Sequence, residues 1–134
     1  MSYPIPETHV DLLTDEKRAF LFLATIMEDG TPQVTPVWFD TAGGMIRVNT
    51  ARGRVKDRNM KARPKVAMAI MDPADPYRYL QLRGTVVAVT EEGAREHIDR
   101  LAKKYLGEDR YPSSQPGEVR VLYTIRPDSG SSKG

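Results

Sequence analysis

The sequence predicts a small, mainly antiparallel β-barrel carrying helices, with six or seven strands. About six apolar runs of strand length follow one another, separated by Gly, Pro and Asp turn signals. One strongly patterned helix falls before the last of these runs. The strands are therefore joined chiefly by turns rather than by the regular helical crossovers of a parallel sheet. At 134 residues with 40% hydrophobic residues, the chain is expected to form one domain with a modest core.

In chain order, Pro4 to Leu13 offers a prolyl start and then Val10, Leu12 and Leu13, enough for one or two helical turns against the body. Asp15-Glu16-Lys17-Arg18 places acids before bases, as a helix dipole prefers, with Thr14 or Asp15 as cap. Phe20 to Met27 reads as the end of that helix plus a buried strand. Glu28-Asp29-Gly30 is a tight-turn signal, and Thr31 to Asp40 returns as the second strand of a hairpin. Pro32 and Pro36 withhold ladder donors, so this strand is expected at an edge or with a bulge near Pro36. Thr41-Ala42-Gly43-Gly44 turns the chain into a third strand, Met45 to Asn49.

Gly53 to Ala62 then reads as a short helix ended by Arg63-Pro64, because the residue before a proline is pushed out of helical dihedrals. Lys65 to Met71 is an apolar strand, and Asp72 to Pro76 a loop. Tyr77 to Val89 is a long strand with Gly84 as its bend or bulge. Thr90-Glu91-Glu92 starts the patterned helix, along which Ala94, Ile98, Leu101 and Tyr105 recur at helical spacing until Gly107. Glu96 with Arg100 and Asp99 with Lys103 form i,i+4 pairs on its wet face, and Lys103 and Lys104 sit in its last turn. Val119, Val121, Tyr123 and Ile125 alternate as the final strand. The barrel domain is expected over 1–127, and the Gly- and Ser-rich segment 128–134 as a disordered tail.

Composition removes several chemistries. There are no cysteines and only two histidines, His9 and His97, so thiolate catalysis, iron–sulfur clusters and cysteine-based zinc sites are excluded, and no metal is expected. The six serines lie near the termini or around Ser113, away from either histidine, and no Walker loop or dinucleotide glycine motif occurs. Glu91-Glu92 and Glu108-Asp109 read as capping and loop acids, and His97 as a partly buried structural histidine. No apolar run spans a bilayer and the first residues resemble no secretory signal, so no membrane association and a cytoplasmic location are expected.

What remains is charge. Arg47 to Lys65 holds eight basic residues and one acid, +7 on a chain of net +2, leaving about −5 elsewhere. This charge sits where a strand runs into a helix, with Thr50 and Gly53 to cap and bend, an arrangement suited to a phosphate. A protein with such a junction and no nucleophile or metal is suited to borrowing its reactivity from a phosphorylated cofactor such as a flavin. Nucleic acid is disfavoured as a partner, because the strands lack interleaved exposed aromatics and the rest of the chain is acidic.

Four segments carry a family resemblance from Leu12 to Pro127. They are Phe22 to Thr25 with Asp29 to Pro32 and Val34 to Phe39; Asn49-Thr50 with Gly53 to Asn59; Pro64 to Ala67; and Tyr79 to Val86 leading to Thr90 through Ala94. In this order and spacing the chain resembles the flavin/deazaflavin oxidoreductases of the pyridoxamine 5'-phosphate oxidase-like split β-barrel superfamily, especially the branch that binds coenzyme F420.

The resemblance implies a split-barrel homodimer with two cofactor sites at the interface. Thr50, Arg52, Arg54 and Lys56 would face the cofactor phosphate beside Asn49, with Asn59 supporting the turn. Thr35, Pro36, Val37 and Trp38 would lie along the ring system, and Tyr79 and Leu80 near the pocket. The Arg-x-His signature of vitamin B6 oxidation is missing, since Ile125-Arg126-Pro127 runs into the tail. The implied activity is hydride transfer from reduced F420 to an electron-poor acceptor such as an enone or quinone. FMN in the same fold, or a non-catalytic carrier of either cofactor, is the alternative.

Overall fold

A computed structural model, describing residues 2–134, shows one seven-stranded antiparallel sheet in the order β2-β1-β5-β6-β7-β4-β3. The strands are β1 (Leu21–Ile26), β2 (Pro32–Val37), β3 (Phe39–Ala42), β4 (Met45–Ala51), β5 (Lys65–Asp72), β6 (Asp75–Thr90) and β7 (Arg120–Lys133). A 3-10 helix spans Glu7–Leu13, α1 spans Val55–Ala62 and α2 spans Ala94–Leu106. The two edge strands, β2 and β3, are separated in sequence only by Trp38. The chain therefore passes from one edge of the sheet to the other in a single residue, and the sheet curls into a barrel that is split at the Trp38 corner.

Period-2 patterning sets which face is core. In β1, Leu21, Leu23 and Thr25 are buried while Phe22 is exposed, and in β5 Val66, Met68 and Ile70 are buried between half-buried Ala67 and Ala69. These meet Phe39, Ile46, Val48, Leu80, Leu82, Val121, Tyr123 and Ile125 in one core, which Leu12 and Met60 also enter. The outer face of β2, β1 and β5 is also largely apolar, since Pro36 pairs with Phe22 and Phe22 with Ala69, and Val34 with Ala24 and Ala24 with Ala67.

Both prolines of β2 lie on an edge strand, as their missing donors require. Gly84 marks the register shift in β6, and an added Cβ there would stand 2.6 Å from the Arg126 carbonyl oxygen. Gly107 ends α2 in the left-handed region at φ 74°.

Four local expectations are corrected. Residues 15–17 form a turn rather than a helix, because β1 takes over at Leu21. The expected strand from Thr31 to Asp40 is two strands, broken at Trp38. The helix start expected at Thr90 falls at Ala94, after a left-handed Gly93, since Thr90 still pairs with Leu122 in the sheet. Segment 128–134 is not a loose tail: β7 continues past Pro127 to Lys133, with Ser129 opposite Arg83 and Lys133 opposite Tyr79. Its backbone is claimed by the long free flank of β6, which outweighs the flexibility of Gly and Ser.

Candidate functional site

Beside the Trp38 corner, a cleft of about 680 Å³ opens between the rim of β1 and β2, the start of α1, the face of α2 and the loop that precedes β7. Such a volume suits a small-molecule site. One wall is aromatic and apolar: Phe20, Phe22, Pro36, Val37 and Trp38, backed by Ile98, Leu101 and Leu106. Phe20 and Phe22 are 48% and 36% exposed, which is unusual for a large apolar side chain unless something covers it.

The wall is fixed by stacking. Tyr105 lies between Phe20 and Trp38, with ring centroids 5.4 and 5.2 Å away and near-parallel planes, and Tyr111 meets Trp38 edge-on at 5.9 Å. Tyr105 is locked by its hydroxyl, which donates to the Ala19 carbonyl at 2.6 Å. Beneath it, Lys104 is buried and donates to the Phe39 carbonyl at 2.7 Å, so this lysine is a structural clamp and not part of the wet helix face.

The other end of the cleft is cationic. Arg54 caps α1 from an extended backbone, Lys56 projects from its first turn, and Arg120 enters from the start of β7. Burial lowers the Lys56 pKa below the ordinary lysine value, and Arg54 and Arg120 beside it lower it further. Among the described residues, the one acid paired with this group is Glu118, whose carboxylate lies 2.9 Å from Arg120 and 3.6 Å from Arg54. An excess of positive charge held partly out of water calls for an anion.

The local backbone explains why the cations gather there. Gly53 sits at φ 91°, a left-handed conformation that turns the chain out of β4, and its N–H donates to the Asp57 carboxylate at 2.9 Å. Asp57 is buried and also accepts from the Tyr123 hydroxyl at 2.6 Å. The turn is thus pinned from below while Arg54 and Lys56 stay on its open side.

Of the twelve residues expected at a cofactor site, Pro36, Val37, Trp38, Asn49, Arg54 and Lys56 line this cleft. The others lie elsewhere. Arg52 is held by Glu91 in a bidentate pair at 2.5 and 2.7 Å. Asn59 is buried and donates to Thr25, tying α1 to β1. Thr50 and Thr35 have hydroxyls shielded from water without a hydrogen-bond partner among the described residues, and neither lines the cleft. Leu80 is wholly buried in the core, and Tyr79 lies on the opposite side of β6 from it. Sequence reasoning missed Phe20, Phe22, Tyr111 and Arg120. The exposed alternation of Phe22 was a readable signal; the arrival of Tyr111 and Arg120 from a loop and a distant strand was not.

The cationic run is also less continuous than its sequence. Arg47 pairs with Asp40, Arg58 donates to the Gly53 carbonyl, Lys61 pairs with Asp57, Arg63 donates to the Ile26 carbonyl and Lys65 to Thr85. Among the described residues, no group of His, Cys, Asp or Glu is arranged to hold a metal, and no helix is long and apolar enough to cross a membrane. His97 is buried with both ring nitrogens engaged, by Asp40 at 2.9 Å and Asn49 at 3.0 Å, in the structural role expected of it.

Comparison with known proteins agrees with this architecture. The pyridoxamine 5'-phosphate oxidase family matches residues 5–133. An F420 reductase of known structure is 36% identical, with TM-score 0.81 over 95% of this chain and 98% of its own. A conserved hypothetical protein from Mycobacterium tuberculosis is 22% identical, with TM-score 0.72 over 98% of this chain and 86% of its own. HutZ, the heme storage protein of Vibrio cholerae, is 19% identical, with TM-score 0.65 over 96% and 94%. These last two likenesses establish the shared fold. With its split seven-stranded barrel and a family match over nearly its whole length, the chain belongs to the pyridoxamine 5'-phosphate oxidase family.

Proposed function

We propose that this protein is an oxidoreductase that takes coenzyme F420 into the Trp38 cleft. The observation that carries the reading is the convergence of Arg54, Lys56 and Arg120 at one end of a cleft whose other end is a preformed aromatic wall. The residues fit the cofactor: three cations offset by the single carboxylate of Glu118, together with the first turn of α1, suit its phosphodiester, and the wall suits a planar ring. The 36% identity to an F420 reductase favours this cofactor. When bound and reduced, F420 supplies a hydride for an electron-poor acceptor such as an enone or quinone.

The chain's own part is binding and orientation. Arg54 and Lys56 hold the phosphate by charge-assisted hydrogen bonds. Trp38, braced by Tyr105 and Tyr111, sets the plane of the ring, and Phe20 and Phe22 keep water from it. No side chain of the cleft is assigned a proton transfer: the enolate or quinol anion left by hydride addition would take its proton from solvent at the open mouth of the cleft.

The site is completed by a second copy. Pro32 and Pro36 blunt the β2 edge, so association uses the outer face, where Val34, Phe22, Ala24 and Ala67 adjoin the cleft rim. Tyr79 lies on this outer side and would reach a cofactor only from a second copy. FMN is the second reading, favoured by the internal engagement of Arg58, Lys61, Arg63 and Lys65, which leaves a shorter free cationic track than a polyglutamate tail would use.

Absorption titration of the purified protein with F420 and with FMN, followed by oxidation of the bound reduced cofactor by enones and quinones, tests the proposal. Tighter binding of F420 with acceptor-dependent oxidation is expected. Binding of FMN alone selects the second reading, and binding without turnover makes the protein a carrier.

A further inference from the structure

Arg120 stands at the end of an unbroken chain of hydrogen bonds that begins in the protein interior. Arg47 donates to Asp40 at 2.7 Å; the His97 ring nitrogen Nε2 lies 2.9 Å from the other Asp40 oxygen; His97 Nδ1 lies 3.0 Å from Asn49 Nδ2; and Arg120 Nε lies 2.9 Å from Asn49 Oδ1. The donors fix every orientation in it. A guanidinium can only donate, so Asn49 must present its oxygen to Arg120 and its amide nitrogen to His97. That nitrogen also donates to the Ala94 carbonyl at 2.9 Å, so His97 Nδ1 must be the acceptor and Nε2–H the donor to Asp40. His97 is therefore held in one tautomer, with Nδ1 accepting from Asn49 and Nε2–H donating to Asp40.

The far end of the chain is equally defined. The Arg120 side chain is 4% exposed, its Nη1 donates to Glu118 at 2.9 Å, and its guanidinium lies 5.2 Å from the Tyr111 ring centre. Nη2 has no protein acceptor among the described residues, and Arg120 lines the cleft. A buried arginine with Nε and Nη1 tied down and Nη2 left free is a preorganised donor.

We infer that Arg120 is a third anion-binding cation of the cleft, directed at the cofactor phosphate, and that Asn49 and His97 are positioning residues that hold it there through the acceptor on His97 Nδ1. This rests on the cofactor site proposed above. It assigns specificity as well as affinity, because a donor fixed in one place recognises a phosphate at one depth of the cleft, whereas exposed lysines would follow it.

The test uses full-length protein and absorption titration with three probes: F420, FMN and the deazaflavin chromophore lacking its phosphodiester. Arg120→Gln is expected to weaken F420 roughly ten- to a hundred-fold and leave the phosphate-free chromophore unchanged. Two histidine variants separate positioning from folding. Asn places its side-chain oxygen near the Nδ1 position and keeps the acceptor for Asn49, whereas Gln reaches the Nε2 position and keeps only the donor to Asp40. His97→Asn should therefore bind F420 close to wild type, and His97→Gln should resemble Arg120→Gln, whichever of the two unfolds at the lower temperature. Affinity that follows thermal stability instead, or an Arg120→Gln variant that binds F420 normally while Lys56→Ala does not, overturns the inference and leaves the site reading intact. Wild-type protein that binds neither F420 nor FMN overturns both; if it binds FMN alone, the F420 reading fails and the same variant ratios measured with FMN decide the role of Arg120.

Discussion

The Tyr123 hydroxyl donates its one proton to the buried Asp57 carboxylate at 2.6 Å, with the Asp57 carbonyl oxygen 3.0 Å away. The last strand thereby holds the acid that pins the Gly53 turn, and the geometry of the cationic junction depends on a tyrosine 66 residues away. Tyr123→Phe removes the donor and leaves the carboxylate buried. We expect it to cost about 1.5–3 kcal/mol in urea unfolding and to weaken cofactor binding as the junction loosens. Unchanged stability would mean that Gly53 and Lys61 suffice to hold Asp57.

Acid should act through the same group. Burial pushes the Asp57 carboxyl up, but hydrogen bonds from Tyr123, the Gly53 N–H and Lys61 together outweigh it and leave the pKa below the ordinary aspartate value. A depressed folded-state pKa contributes stability that is present above the unfolded value of about 3.9 and is lost as pH falls through the folded value. Unfolding free energy measured from pH 7 downward should thus drop below about pH 4, and Asp57→Asn should show a shallower drop from a lower starting point. Parallel curves would remove Asp57 as a main source of acid sensitivity.

Lys56→Ala should weaken F420 binding roughly ten- to a hundred-fold, the usual loss for a charge-assisted contact. At saturating cofactor, turnover should stay within a few-fold of wild type, since the phosphate is remote from the transferred hydride. Lys61→Ala is the control, because Lys61 is exposed and pairs with Asp57 rather than lining the cleft. Only the protonated ammonium attracts an anion, and burial beside Arg54 and Arg120 lowers its pKa. Affinity should therefore fall as pH rises through that lowered value, and the fall should be missing in Lys56→Ala.

Val34 is 63% exposed on the apolar outer face that β2 shares with Phe22 and Ala24 of β1. Val34→Glu should convert a dimer to monomers in sedimentation at micromolar concentration and weaken cofactor binding with it. A wild-type protein that sediments as a monomer would remove the two-copy site.

Much of the fold was legible because its signals are local. Prolines at 32 and 36 announced an edge, Gly84 a bulge and Gly107 a helix end, each through backbone geometry that needs no knowledge of the rest of the chain. Arg54, Lys56 and Trp38 were legible for a different reason, as parts of a motif whose spacing the chain retains. What escaped was long-range. Nothing near Arg120 in sequence shows that it meets Asn49, 71 positions earlier, and nothing near Lys104 shows that it will be buried against Phe39. Local charge density likewise overstated the junction, because the acids and carbonyls that occupy Arg47, Arg52 and Arg63 come from other elements.

The C-terminal segment gives the sharpest test of composition against pairing. Asp128 to Gly134 is rich in Gly and Ser, yet it lies along β6 with Gly130 opposite Leu82 and Ser132 opposite Leu80. Gly130 is there because nothing larger fits: an added Cβ would stand 2.5 Å from the Gln81 carbonyl oxygen and 2.8 Å from Leu82. The segment also carries the Lys133 carbonyl to within 2.9 Å of the buried His9 ring, which fastens the N-terminal 3-10 helix. Deleting residues 129–134 exposes one flank of β6 and leaves His9 without that contact, an unmet buried polar group that alone costs about 1–3 kcal/mol. Gly130→Val should reproduce much of the loss by forcing the strands apart. We expect both variants to unfold at lower temperature than wild type and to gain amide hydrogen exchange along Tyr79 to Arg83. A deletion that melts with wild type would show that the segment contributes nothing to the barrel.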